Sequence, residues 1–229
     1  MKPPASPLRI LVVLVILFIP AISYYFLTKG KNNFRTLEVF GPKKTLSPHE
    51  ENGKMIADTV FHTIPSFSFT DQDGKTFTDQ NLSGSIYIAA FFFTGSSDGE
   101  VMNTQLERVQ SKFKDDADVK ILTFTVDPDN DSVPVLATYA KSRRAIPGKW
   151  YFLTGDKKAL DELARNGYYL FAMLTPGHET AMRHSDQLVL VDKDKRIRGY
   201  YDGTDNLEVN RLMDEVVVLQ WEYKKNDHD

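Results

Sequence analysis

Apolar residues run without interruption over positions 86–93, and the run turns aromatic at its end. A stretch of that length with no alternation predicts a strand buried on both faces of a sheet. Past a polar turn at 95–99, Met102, Leu106, Val109 and Phe113 recur at helical spacing, so a helix follows with one face turned inward. A buried strand, a short polar loop and a helix N-terminus bring exposed N–H groups and the positive end of the helix dipole together. That is where α/β folds place their chemistry. Here the position carries Ser96, Ser97, Asp98 and Glu100.

Residues 10–27 are apolar apart from Pro20 and Ser23, with Arg9 before them and Lys29 and Lys31 after. Their length predicts a transmembrane anchor, with Tyr24 and Tyr25 as an interfacial belt. A cleaved signal peptide, its core ending at Pro20 and Ala21-Ile22-Ser23 forming the cleavage site, is the alternative. Basic residues stand on both flanks, so charge does not set the orientation. Residues 1–9 form a short tail, and 28–63, broken at Gly41-Pro42 and Ser47-Pro48, read as a linker with one short strand at most.

The folded domain is placed at 64–222, with a polar tail at 223–229. Phe67 and Phe69 alternate with polar residues, and the turn at 71–74 leads into 76–78, which predicts a hairpin. Residues 119–126 form a second buried strand, and a helix from Val133 carries Pro134 in its first turn and Leu136, Tyr139 and Ala140 inward. A short aromatic strand at 150–153 precedes a helix at 156–166 that Gly167 stops. Residues 168–184 are long, mixed and broken at Pro176-Gly177, a loop type that often serves function. Strands at 187–191 and 196–201 flank a turn at 192–195. The last helix starts at Asp205 with Glu208 as its capping-box partner, burying Leu212, Met213, Val216 and Leu219. Two βα units, a late hairpin and a terminal helix predict an α/β, thioredoxin-like sandwich with a central mixed sheet, preceded by the N-terminal transmembrane helix.

Composition narrows the chemistry. The 229 residues are 41% hydrophobic and 12% aromatic, enough for a packed core, and 28 basic against 31 acidic residues leave a formal charge of −3. No basic cluster with interleaved aromatics points to nucleic acid. The chain has no cysteine, which removes disulfides, thiolate metal sites, cysteine nucleophiles and all thiol–disulfide exchange. No nucleophile–base pair or cofactor motif suggests an enzyme.

Four stretches nevertheless look familiar: FSFTDQDG at 67–74, FFFT at 91–94, TVDP at 125–128, and HSDQLVLVDKDKRIRGYYDGTD at 184–205. Together they resemble the SCO/SenC family, membrane-anchored thioredoxin-fold proteins that help deliver copper to cytochrome c oxidase. The resemblance covers roughly 64–219. It implies a domain on the extracytoplasmic (periplasmic) side of the cell membrane, and partners such as a respiratory oxidase subunit or another copper chaperone. Family members hold copper with two cysteines in a CxxxC loop and one distant histidine. Aligned through 91–94, the cysteine positions fall on Ser96 and Glu100, the following proline on Val101, and the histidine on His184, which is kept.

Cu(I) favours soft thiolate and thioether donors, and neither a serine hydroxyl nor a carboxylate imitates one. Two readings of the site follow. In the first, the copper position is degenerate, copper is weakly held or absent, and the protein acts by binding a partner. In the second, His184 joins Met182 or Glu100 in a different metal-binding module. Met102 falls on the core face of its helix, and Asp98 and Glu100 complement a helix dipole. Asp127, Asp129 and Asp131 alternate as in a calcium loop, but Ser132 and Thr138 stand where that loop needs Gly and Glu. The three acids are read as helix caps.

Overall fold

The computed structural model describes residues 16, 18–20, 22, 36–45, 49–51, 54–56, 58–170 and 186–226, the side chains of 49–51, 54–56 and 226 excepted. The chain divides into two units, Met1–Arg35 and Thr36–Asp229. In the first, Ile16, Phe18, Ile19, Pro20 and Ile22 are helical and exposed. The anchor expected over 10–27 otherwise lies outside the described residues. Among the described residues no helix is long and apolar enough to cross a membrane.

The second unit is built on a seven-stranded mixed sheet. Its strands are β5 (Ser68–Asp71), β6 (Thr76–Thr78), β7 (Ile86–Phe92), β8 (Val119–Thr125), β9 (Trp150–Thr154), β10 (Gln187–Val191) and β11 (Ile197–Asp202), in the order β11-β10-β7-β8-β9-β5-β6. The pairs β7/β8 and β8/β9 are parallel, and the β10, β11, β5 and β6 pairings are antiparallel. Every residue of β7 is buried. Its even-numbered residues, Ile86 to Phe92, enter one core, and Tyr87, Ala89 and Phe91 enter the other. Because successive side chains of a strand point to opposite faces, an uninterrupted apolar run requires cover on both.

Helices α1 (Ser97–Lys112), α2 (Val133–Ser142) and α4 (Asn206–Asn226) supply the first cover, with Met102, Leu106, Leu136, Leu212 and Val216 all buried. On the second face α3 (Lys157–Glu162) packs Leu160 against the sheet's own aromatics Phe69, Phe77 and Phe124, with Phe67 beside them. Helix α3 continues as one π-helical turn, Leu163–Gly167. Gly167 packs closely there, since a Cβ would lie 2.9 Å from Leu163 Cδ1 and 3.2 Å from Pro65 Cδ. At the start of α4, Glu208 does not close a capping box. Asp205 Oδ1 accepts the Leu207 N–H, while Glu208 pairs with Arg211 one turn on. A full charge three residues away along the helix outcompetes a backbone N–H for that carboxylate.

Of the stretch 28–63 read from sequence as linker, the described residues from Thr36 onward fall in the second unit. Strands β1 (Lys43–Thr45) and β4 (Thr59–Phe61) pair antiparallel, as do β2 (His49–Glu51) and β3 (Lys54–Ile56). Upstream of them the chain is tied by charge. Arg198, 5% exposed, donates to the carbonyls of Leu37 and Glu38 and pairs with Asp192 (2.9 Å) and Glu222 (2.8 Å). Glu222 accepts the Leu37 N–H in turn. One guanidinium therefore joins the entering segment, the β10–β11 hairpin and α4. These long-range partners have no periodic signature, which is why the segment reads as linker.

Two outcomes test this arrangement. Arg198→Met leaves the Asp192 carboxylate buried with one cation fewer and should lower unfolding free energy by about 3–5 kcal/mol in urea titrations. The second concerns pH. A hydrogen bond and charge from Lys195 hold the Asp79 carboxyl below its usual range. A depressed carboxylate contributes fully above its unfolded value of about 4, and that contribution disappears as pH falls through the folded value. Wild-type stability should therefore drop more steeply below about pH 4 than that of Lys195→Met.

Candidate functional site

Strand β7 delivers the chain to Phe93, and three residues later Ser96 opens α1. Ser96 is extended (φ −87°, ψ 127°), and its Oγ accepts the Gly99 N–H at 3.1 Å. It is the N-cap, satisfying one of the helix's unpaired donors. Its carbonyl also accepts the Glu100 N–H at 3.0 Å. Asp98 and Glu100 are exposed in the first turn, where carboxylates complement the dipole.

The Glu100 carboxylate is turned toward α2. Arg143 Nη2 forms an ion pair with it, and the Tyr139 hydroxyl donates to it at 3.3 Å. Arg143 lies 5.0 Å from the Tyr139 ring centroid and donates to Thr104 and Glu107 at 3.3 Å each. Residues 100, 104 and 107 share a helix face, so one buried guanidinium bridges two turns of α1. Asn103, fully buried, donates to the Gly99 carbonyl (2.8 Å) and to the Tyr139 hydroxyl (3.2 Å). Burial raises the Tyr139 pKa, with the nearby Arg143 charge pulling the other way.

Beneath the loop sits Asp131, 1% exposed. It accepts from the Thr94 N–H (3.1 Å), the Thr94 hydroxyl (2.5 Å) and the Thr125 hydroxyl (2.5 Å). These bonds pin the exits of β7 and β8 to each other. The capping reading of the three acids is thereby corrected. Ser132 is the N-cap of α2, Asp127 accepts from Asn130, and Asp129 pairs with Lys157. A carboxylate buried between two strand ends finds hydroxyl donors closer than a helix terminus.

Met102 is 1% exposed and belongs to the core. Gly203 approaches it so closely that a Cβ would lie 2.7 Å from Met102 Cγ and 2.9 Å from the Asp186 carbonyl, which accepts the Gly203 N–H. The strand that follows His184 in sequence thus begins beside the early turns of α1. His184, Met182 and Met173 themselves lie outside the described residues. Among the described residues no group of three or more His, Cys, Asp or Glu side chains is arranged to hold a metal ion. The donor chemistry agrees: Ser96 Oγ and the Glu100 carboxylate are hard, and each is engaged within the protein, so they do not fit Cu(I). Sequence reasoning missed Arg143 and Asn103, and gave Asp131 a capping role in place of the one it has. Only the inward reading of Tyr139 hinted at this cluster.

A parallel βαβ core extended by antiparallel strands, with a polar loop capping a helix at the sheet's C-terminal edge, defines an α/β thioredoxin-like protein. The chain belongs to the SCO1/SenC family, whose model matches residues 57–217. It is 28% identical over 167 residues to the SCO1 protein homolog of Bacillus subtilis, covering 72% of this chain and 86% of that one. Among solved structures it is similar to BsSco, a member of the Sco family of cytochrome c oxidase assembly proteins in which a disulfide switch was identified. That match has 25% identity and a TM-score of 0.58, over 69% of this chain and 93% of that one. Arabidopsis thaliana ScoI with copper bound matches at 26% identity and a TM-score of 0.54, over 69% and 98%.

If Ser96 acts as the cap, Ser96→Ala should destabilise the protein by about 1 kcal/mol, and Ser96→Asp should restore most of it. Urea unfolding of the three proteins checks this directly.

Proposed function

We propose that this chain is a SCO1/SenC accessory protein of cytochrome c oxidase assembly that works by contact with a partner rather than by carrying Cu(I) on a thiolate pair. Residues 10–27 tether it to the cell membrane, and the domain stands on the extracytoplasmic side. Its partner is an oxidase subunit or a copper-carrying relative. The observation that supports this reading is the use made of the two cysteine positions. Ser96 caps α1 and Glu100 is held by Arg143 and Tyr139, so both are committed to holding helices in place. Copper is then cargo handled by the partner. Of the family's three ligands this chain keeps His184 alone.

The test restores what is missing. Ser96→Cys with Glu100→Cys returns two soft donors to a helix N-terminus, where the dipole lowers thiol pKa values. The double variant should bind Cu(I) stoichiometrically under reducing conditions, and the parent should not. Adding His184→Ala should weaken that binding by about 1–3 kcal/mol. Stoichiometric Cu(I), Cu(II) or Zn(II) in the parent protein, purified without an affinity tag, would instead favour a metal-binding module on His184 with Met182 or Glu100.

Tethering and partner contact have their own readouts. The full chain should stay with membranes through high-salt and carbonate washes, whereas a soluble mature form beginning near Tyr24 would show a cleaved signal. Oxidase subunits should co-purify with the membrane-extracted protein to the same extent with and without a Cu(I) chelator. Loss of that association on chelation would contradict a copper-independent contact.

A further inference from the structure

Beside the site loop, at the C-terminal ends of the parallel strands β7 and β8, a cleft of about 830 Å³ opens between the β8–α2 loop and α3. Ligands of α/β folds bind at that edge, and the volume falls in the range of small-molecule and side-chain sites, roughly 300–1,000 Å³. Its apolar lining is Phe93, Val126, Leu160 and Ala164. Ala164 lies in the π-helical turn, a rare element frequently found at functional sites.

The polar lining is lopsided once internal pairs are set aside. Lys157 is paired with Asp129 (2.8 Å), Lys158 with Glu162 (3.8 Å), and Asp161 with Arg165 (2.9 Å). Two lining carboxylates remain, Asp127 and Asp156, and among the described residues neither has a cation partner. Asp127 accepts from Asn130 Nδ2 (2.8 Å), and Asp156 accepts the Ala159 N–H (2.8 Å) as the N-cap of α3. Each carboxylate has capacity for more, since an ionised carboxylate offers about four acceptor sites. Each carboxylate is oriented by the hydrogen bond just given, and the Asp127 backbone is anchored as well, its carbonyl accepting the N–H groups of Asn130 and Asp131. Apolar lining beside two carboxylates outside any ion pair among the described residues matches a side chain with an apolar stem and a cationic head.

We propose that this cleft is a docking site for a basic side chain, arginine or lysine, on an extended segment of a partner protein. Its stem would lie along Leu160 and Val126 and its head between Asp127 and Asp156. The site also touches the neighbouring loop, because the Phe93 ring packs where a Cβ on Gly95 would sit, 3.0 Å away. An occupant would thus bear on the segment that leads to Ser96. The identity of the natural partner rests on the functional reading above, but the chemistry of the cleft does not.

The experiment therefore uses a probe that needs no oxidase. Methyl NMR spectra of the full chain in detergent micelles would be titrated with the dipeptide acetyl-Phe-Arg-amide, and with acetyl-Phe-Glu-amide as the control. The arginine probe should shift the methyl signals of Val126, Leu160 and Ala164 saturably, in the millimolar range. Asp127→Asn combined with Asp156→Asn should weaken it by about tenfold or more, while leaving the fold intact because asparagine also serves as an N-cap. Asp98→Asn, outside the cleft, should leave it unchanged. No shift, equal shifts with the glutamate probe, or binding untouched by the double substitution would overturn the proposal. If the arginine probe binds but no oxidase subunit co-purifies, the docking site stands and the functional reading fails.

Discussion

Burial of β7 on both faces is the constraint from which the rest of this domain follows. Seven consecutive residues with no polar face cannot sit at a sheet edge or under a single layer. They force a central position, with β10 on one side and β8 on the other, and helices or aromatic packing above and below. The loop between β7 and α1 is then fixed in the middle of the sheet's C-terminal edge. Asp131 refines that placement by tying Thr94 to Thr125, so the loop leaves a rigid pair of strand ends rather than a single frayed one.

The site loop is held by hydrogen bonds and one ion pair. Ser96 and Glu100 have been absorbed into the hydrogen bonding of α1 and α2. A serine cap serves the helix end through a neutral hydrogen bond, and the Glu100–Arg143 pair adds a tie between helices. The cleft beside Phe93 lies on the same edge of the sheet.

The opposite end of the sheet is organised by charge. Arg198 holds the entering chain, the β10–β11 hairpin and α4 together, with Asp192 almost wholly buried beneath it. Buried ion pairs add little net stability compared with apolar packing, but they penalise any arrangement that leaves one member unpaired. Here that penalty specifies where residues 36–40 lie against the sheet. The site loop leaves β7 at one end of the strand, and the chain enters near the other, roughly 23 Å away for seven residues at 3.3 Å each.

Sequence alone determined the elements whose physics is local. The unbroken run at 86–93, the helical spacing of Met102, Leu106, Val109 and Phe113, and the turn residues of the 187–201 hairpin all appear where periodicity puts them. So does the class of fold, because two βα units followed by a hairpin leave few topologies. The absence of cysteine likewise fixed, without coordinates, which chemistry this chain does not perform. Tertiary structure decided what depends on partners far apart in the chain. The segment at Leu37 and Glu38 lies against the sheet because Arg198, some 160 positions away, bonds both carbonyls. Glu208 and Asp131 left the helix caps expected of them because a guanidinium and two threonines stood closer. Glu100 met Arg143 only because α1 and α2 pack on the same face of the sheet. Hydrophobic periodicity is written residue by residue, whereas a charge or hydrogen bond takes whichever partner folding brings within about 3 Å.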